Sequence, residues 1–191
     1  MNPKIWLGID ILSVYTVLRP QDLLRVTEAD IDLEYGVITF WTPTKSNDDK
    51  KISVRLISEH VEQIREVRNK LPGLPHMPFF RHVAGISGVE AEKPFGPKYF
   101  KKWWDKACNN LGIEGLDLYG GTRHTTTTAL AKEVGEAGAK KASGHRTNKA
   151  FYRYCQYQDD GTFEMAKITA NLKRKNKKGE VVKFPKMGGK A

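Results

Sequence analysis

Cysteine is nearly absent. Cys108 and Cys155 are the only two in 191 residues, and they form no Cys-x-x-Cys spacing. That argues against a disulfide framework or a zinc site and makes a reducing cytoplasm the expected compartment. Long hydrophobic runs are also missing, since nothing approaches the roughly 20 apolar residues of a membrane span. The opening Ile5-Trp6-Leu7-Gly8-Ile9 is interrupted by Asp10, and no small-residue cleavage site follows, so a secretory signal is not expected. There are no internal repeats, no Walker loop, no HExxH and no carboxylates at metal-site spacing.

Acidic residues are scarce too. Thirty-two Lys and Arg face 22 Asp and Glu, for a net charge of +10. The isoelectric point near 9.5 points to a polyanionic partner. The charge is unevenly spread. From Lys173 to Ala191, Lys173, Arg174, Lys175, Lys177, Lys178, Lys183, Lys186 and Lys190 meet one acid, Glu180. That tail holds most of the excess and reads either as a solubilising flexible segment or as a polyanion contact. The body of the chain must supply the specific evidence.

The body has length for one domain whose folding buries roughly 70% of the extended-chain surface. Two apolar stripes, Ile5-Ile9-Leu12 and Leu7-Ile11-Val14-Leu18, predict a mostly buried helix over about 4–17. Pro20 fits the first turn of a short second helix, with Leu23 and Leu24 facing inward. Residues 30–33, the turn Glu34-Tyr35-Gly36 and residues 37–42 read as a hairpin, and 52–56 as a third strand. Ser58 is the expected N-cap of a helix through Leu71. Residues 72–97, rich in Pro and Gly, read as a long loop. A helix over 98–111 carries Tyr99, Phe100, Trp103, Trp104 and Ala107. At helical spacing, core packing is the expected role of this aromatic stripe, ahead of base stacking. Thr122 reads as the cap of a helix to Val134, with Gly135 and Gly138 breaking the pattern, and Asn148 begins a last short helix. The expected class is a mainly helical α+β domain around one small three-stranded antiparallel sheet.

Chemistry-bearing residues are scattered over this frame. Arg19 lies in Leu18-Arg19-Pro20-Gln21-Asp22, Lys45 in Pro43-Thr44-Lys45-Ser46, and Arg123-His124 in Gly121-Thr122-Arg123-His124-Thr125; Gly144-His145 and Tyr154 follow. Arginine offers a planar fork of donors to phosphate oxygens and stays charged. Tyrosine is a nucleophile, and lysine and histidine move protons. Singly, each has a plainer reading: Arg19 as a surface residue or partner of Asp22, Lys45 as a solvated loop lysine, His124 as a packing residue, His145 as a turn residue. Tyr152 competes with Tyr154, although helical spacing turns the two apart.

In this order and spacing the set resembles the catalytic domain of the tyrosine recombinase (phage integrase) family, over roughly residues 5–160. The resemblance implies that Arg19 and Arg123 contact a scissile phosphate, with Asp22 bracing Arg19 where family members usually have Glu. It implies that Lys45, in the turn between the second and third strands, protonates the leaving 5′ oxygen. His145 would add a hydrogen bond, His124 would support the site, and Tyr154 would attack to give a 3′-phosphotyrosine. No metal or cofactor is implied. One departure stands out: the first His of the family's HxxR segment falls at Gly120, which has no side chain for base or hydrogen-bonding work.

The implied organisation is a catalytic domain over 1–172 and a basic, flexible tail over 173–191, in which Lys173, Arg174, Lys175, Lys177 and Lys178 contact DNA. The family's N-terminal clamp domain is not in this chain. The implied partners are double-stranded DNA and further copies of the chain, a monomer when free assembling to a tetramer on DNA, with no membrane. The setting would be cytoplasmic and nucleoid-associated, bacterial or phage-encoded. Two other functions compete: a non-catalytic DNA-binding relic of the same fold, and a type IB topoisomerase-like relaxing enzyme.

Overall fold

The first helix is buried on nearly every side. In a computed structural model, which describes residues 2–43, 49–84 and 88–155, α1 spans Pro3–Val14. Asn2 caps it, its side chain accepting from the Lys4 N–H at 3.0 Å, and Pro3 takes the first helical position. Ile5, Leu7, Ile9, Ile11 and Leu12 are all buried, each side chain contributing about 1.5–3 kcal/mol, while Val14 at the end of the second stripe is exposed. The helix stops earlier than its apolar pattern. The Tyr15 N–H closes the last turn on Ile11 O, and the Tyr15 hydroxyl accepts from Ile57 N at 2.8 Å and meets His60 Nδ1 at 3.1 Å. These bonds fasten the start of the link that carries Arg19.

After α2 (Pro20–Leu23) and a 3₁₀ turn, Glu28–Asp30, three antiparallel strands follow in sequence order. They are β1 (Ile31–Asp32), β2 (Val37–Pro43) and β3 (Asp49–Arg55), with Ile38 opposite Val54 and Phe40 opposite Ile52. Ile38 and Phe40 point into the core, as period-two alternation requires. Asp32 Oδ1 accepts from the N–H groups of Glu34 and Tyr35 at 2.9 and 3.0 Å, and Gly36 takes the left-handed φ of 61° that closes the turn. α3 is Ser58–Lys70. Ser58 is its first residue rather than its cap. Ile57 holds the cap position and makes no side-chain cap bond, its own N–H being spent on Tyr15.

The described residues of 72–97 lack regular helix and long strand, and although many of them are exposed the stretch also feeds the core. Phe79, Phe80 and Phe95 are buried in the core, with Phe80 edge-on to Phe100 at 5.5 Å. Isolated bridges Thr27–Pro78 and Arg81–Pro94 pin the segment. Arg81 is buried and donates to the carbonyls of Leu71, Pro72 and Pro78 and to the Glu28 carboxylate. Glu28 also binds Arg68 and lies 3.5 Å from the buried Lys4 Nζ. α4 (Tyr99–Asn110) packs Phe100 against Gly8 of α1, where an added Cβ would come within 2.5 Å of the ring. Trp103 and Trp104 pack on the same core, so the aromatic stripe is packing, as its spacing predicted.

A wide π-turn, Gly120–His124, leads directly into α5 (Thr125–Ala142), and α6 (Asn148–Tyr152) follows. Thr122 is not a cap. It lies inside the continuous turn and donates to Leu118 O at 2.6 Å, while Asp117 does the capping by accepting from Gly120 N at 2.6 Å. Gly135, at φ 75° and ψ 166°, breaks α5 as expected. The helix then resumes through Gly138, which the sequence pattern had placed among the breakers. No helix among the described residues is long and apolar enough to cross a membrane.

Candidate functional site

Arg123 anchors the site. The π-turn carries it inward because Gly121 has no side chain: a Cβ there would lie 2.0 Å from Trp104 Cζ2, and Trp104 is itself held by its Nε1–H donating to Leu116 O at 3.0 Å. Thr126 Oγ1 donates to Ser13 O at 2.6 Å and ties the start of α5 to α1. Arg123 is buried, with Nη2 donating to Ser143 O at 3.3 Å. Its guanidinium carbon lies 5.0 Å from the centroid of the Tyr154 ring. Burial, and then the neighbouring charge of Arg19, lower its pKa below the usual arginine value.

Arg19 reaches the same place from α2. Its backbone is extended at the N-cap position before Pro20, and its carbonyl accepts from Asp22 N at 3.0 Å. Its side chain is exposed, yet its charge acts on both Arg123 and His145. Asp22 is buried beneath it. Burial raises the Asp22 carboxyl, and Arg19 is the largest influence opposing that rise. The Thr42 hydroxyl is near enough to lower it as well, but at geometry too poor for a hydrogen bond, since neither Thr42 Oγ1 nor Asp22 Oδ1 has a partner among the described residues.

His145 follows Gly144, whose φ of 69° needs a left-handed residue at the end of α5. Its Nδ1 is 2.7 Å from Ser143 Oγ, and its ring is 5.1 Å from that of Tyr154. Burial first, then Arg123 and Arg19, lower its pKa, which favours the neutral ring. Tyr154 also packs edge-on to His124 at 4.8 Å, so His124 is a packing residue of the site. Tyr152 points elsewhere: it is exposed, and its hydroxyl donates to Glu136 Oε2 at 2.6 Å.

Arg19, Asp22, Arg123, His124, His145 and Tyr154 thus converge from four stretches of chain. Three buried polar atoms there, Asp22 Oδ1, Arg123 Nε and His145 Nε2, have no hydrogen-bond partner among the described residues. Buried polar groups are normally satisfied, so this is a polar cluster with donor and acceptor capacity to spare. Lys45 and the tail residues Lys173, Arg174, Lys175, Lys177 and Lys178 lie outside the described residues. Sequence reasoning missed Ser143. It stands two residues before the candidate histidine, but that spacing does not reveal its burial or its contacts.

No family model matches the sequence, and no curated protein is similar to it. Solved structures are. XerA recombinase superimposes with a TM-score of 0.59 at 16% identity, over 88% of this chain and 58% of that one. XerH site-specific recombinase bound to palindromic difH substrate, a post-cleavage complex, gives 0.60 at 20%, over 88% and 46%. The fold is that of a tyrosine recombinase catalytic domain. A lambda integrase dimer bound to a COC′ core site shares it, with a TM-score of 0.54 at 15% identity over 81% of this chain and 53% of that one. This chain spans about half the length of the recombinases it matches. The expected fold class, mainly helical with a small antiparallel sheet, is the one observed.

Proposed function

We propose that this chain is the catalytic part of a site-specific DNA recombinase, which breaks and rejoins duplex DNA through a 3′-phosphotyrosine. The observation that carries the reading is the convergence of two arginines, a histidine and a tyrosine with the Tyr154 ring against Arg123. The positive charge of Arg19 already bears on Arg123 and His145, and a phosphodiester is an anion of the right size and geometry to bind between such donors.

In this reading Tyr154 attacks the scissile phosphorus, and Arg19 and Arg123 hold the non-bridging oxygens as negative charge grows there. Each such donor is worth about 3–4 kcal/mol of barrier in comparable sites. Asp22 steadies Arg19, Lys45 protonates the leaving 5′ oxygen, and the phosphotyrosine bond conserves energy for rejoining. Tyr152, engaged with Glu136, is not the nucleophile. The partners are duplex DNA, with the tail residues 173–178 on its backbone, and further copies of the chain assembling as a tetramer. XerH and lambda integrase were both solved on DNA.

The test is trapping. Incubation with a randomised library of nicked duplexes, followed by SDS electrophoresis, should yield a protein–DNA adduct resistant to denaturation. Retarded bands on native gels without any such adduct would overturn the recombinase reading in favour of a DNA-binding relic. Relaxation of supercoiled plasmid irrespective of sequence would favour a topoisomerase.

A further inference from the structure

Ser143 is 1% exposed and sits at the end of α5, two residues before His145. Its backbone carbonyl accepts from Arg123 Nη2, and its hydroxyl faces three groups: Ala139 O and His145 Nδ1 at 2.7 Å, and Lys140 O at 3.3 Å. A hydroxyl has one proton, and a carbonyl oxygen has none to give. With two carbonyls on one side, Ala139 O at 2.7 Å and Lys140 O at 3.3 Å, the Ser143 proton is best placed toward them, in the familiar back-bond to the residue four earlier in a helix. The short contact to His145 is then attractive only if Nδ1–H donates to Oγ. Which imidazole nitrogen carries the proton is set by the bond the other nitrogen makes. With the Ser143 proton on the carbonyl side, the neutral ring carries its own proton on Nδ1 and leaves Nε2 bare. Nε2 is buried and has no hydrogen-bond partner among the described residues.

We propose that Ser143 is a positioning residue that locks His145 with its proton on Nδ1, so that Nε2 is the proton acceptor for the Tyr154 hydroxyl. The proposal rests on the recombinase reading for the identity of the reaction. It answers the departure at Gly120, where no side chain is available and where an added Cβ would meet Asp117 Oδ1 at 3.1 Å and Leu116 Cδ1 at 3.3 Å. The acceptor is relocated to the histidine whose ring packs against the nucleophile.

The step balances. The Tyr154 O–H bond breaks and its proton passes to Nε2 while the O–P bond forms. The P–O5′ bond breaks with its electron pair, and the leaving oxygen takes a proton from the Lys45 ammonium. Rejoining reverses each transfer. The titratable and charged groups around the imidazole are Arg123 from the π-turn, Arg19 from the head of α2, and Tyr154 with its neighbour His124. The two arginines disfavour a proton on the ring in the free protein, and the negative phosphorane stabilises the imidazolium as it forms.

The test has two arms on the full chain. Nitrogen-15 NMR of the wild type at pH 7 reads the His145 tautomer directly and needs no DNA. The expected result is a protonated Nδ1 with a bare Nε2, and a shift of population towards the Nε2–H form in Ser143→Ala. A wild-type ring protonated on Nε2 alone overturns the proposal. In the second arm, adduct formation by Ser143→Ala should be about tenfold slower at pH 7, the size of one hydrogen bond's hold on the tautomer. An unchanged rate beside a wild-type adduct overturns the proposal and leaves the recombinase reading standing. A wild type that forms no adduct sinks the recombinase reading and with it the role toward Tyr154.

Discussion

Replacing Lys4 with methionine should stabilise the domain. The Lys4 ammonium is wholly buried, and it shares the Glu28 carboxylate with Arg68 and Arg81, three cations around one anion. Its contact to Glu28 is long, and Nζ makes no hydrogen bond among the described residues. Burial first, and then the charge of Arg81, push the Lys4 pKa down to about 8 from 10.5. At about 1.4 kcal/mol per pKa unit, keeping the proton at pH 7 costs about 3 kcal/mol relative to the unfolded chain. Methionine fills most of the same space, ending one heavy atom short of the ammonium, and leaves Glu28 with two arginines. It forfeits the ammonium's position 4.5 Å from the Phe79 ring centre, worth about 1 kcal/mol. The net gain at pH 7 is therefore about 1–2 kcal/mol, measurable as a raised urea midpoint with an unchanged slope. The sign of the pH dependence follows. Below about pH 8 both folded and unfolded chains hold the proton and the full penalty applies. Between about 8 and 10.5 the unfolded chain binds more protons, so wild-type stability from this group rises with pH. The gap between Lys4→Met and wild type should close across that window. A variant less stable than wild type at pH 7, or a gap that ignores pH, would refute the reasoning.

Gly121→Ala should cost about 2–3 kcal/mol in urea denaturation, because its methyl would overlap the Trp104 ring. It should also lower adduct formation more than its stability loss explains, since Arg123 is two residues away. Affinity for duplex DNA should fall steeply as salt rises, and deleting residues 173–191 should reduce the slope and weaken binding equally across sequences, as titration by fluorescence anisotropy would read. A salt-independent affinity would mean that the positive charge has no part in binding.

Much of this was legible because local chemistry dictated it. Period-two alternation in β2, the Asp32–Gly36 turn and the apolar stripes of α1 each fixed one element through side-chain burial. The family-like set was legible because each member sits beside its own local signal: Pro20 after Arg19, Gly144 before His145. Residues 72–97 were not legible. Phe79, Phe80 and Phe95 enter the core from irregular backbone, so no period announces them, and the buried Arg81 is paired with Glu28, which lies far away in sequence. Thr122 looked like a cap because Ser and Thr usually are. A helix already begun at Asp117 overrode that preference. α5 resumes after Gly135 because one left-handed residue kinks a helix without ending it. Ser143 escaped notice because its role depends on a proton count around a hydroxyl, which no spacing records.

The most direct measurement is the site of covalent attachment. The adduct trapped on nicked duplex, digested with nuclease and protease, should yield one nucleotide-linked peptide with the modification on Tyr154. Tyr154→Phe should abolish the adduct, while Tyr152→Phe should retain it. A nucleotide on Tyr152, or an adduct that survives Tyr154→Phe, would contradict the assignment of Tyr154 beside Arg123 and His145 as the nucleophile.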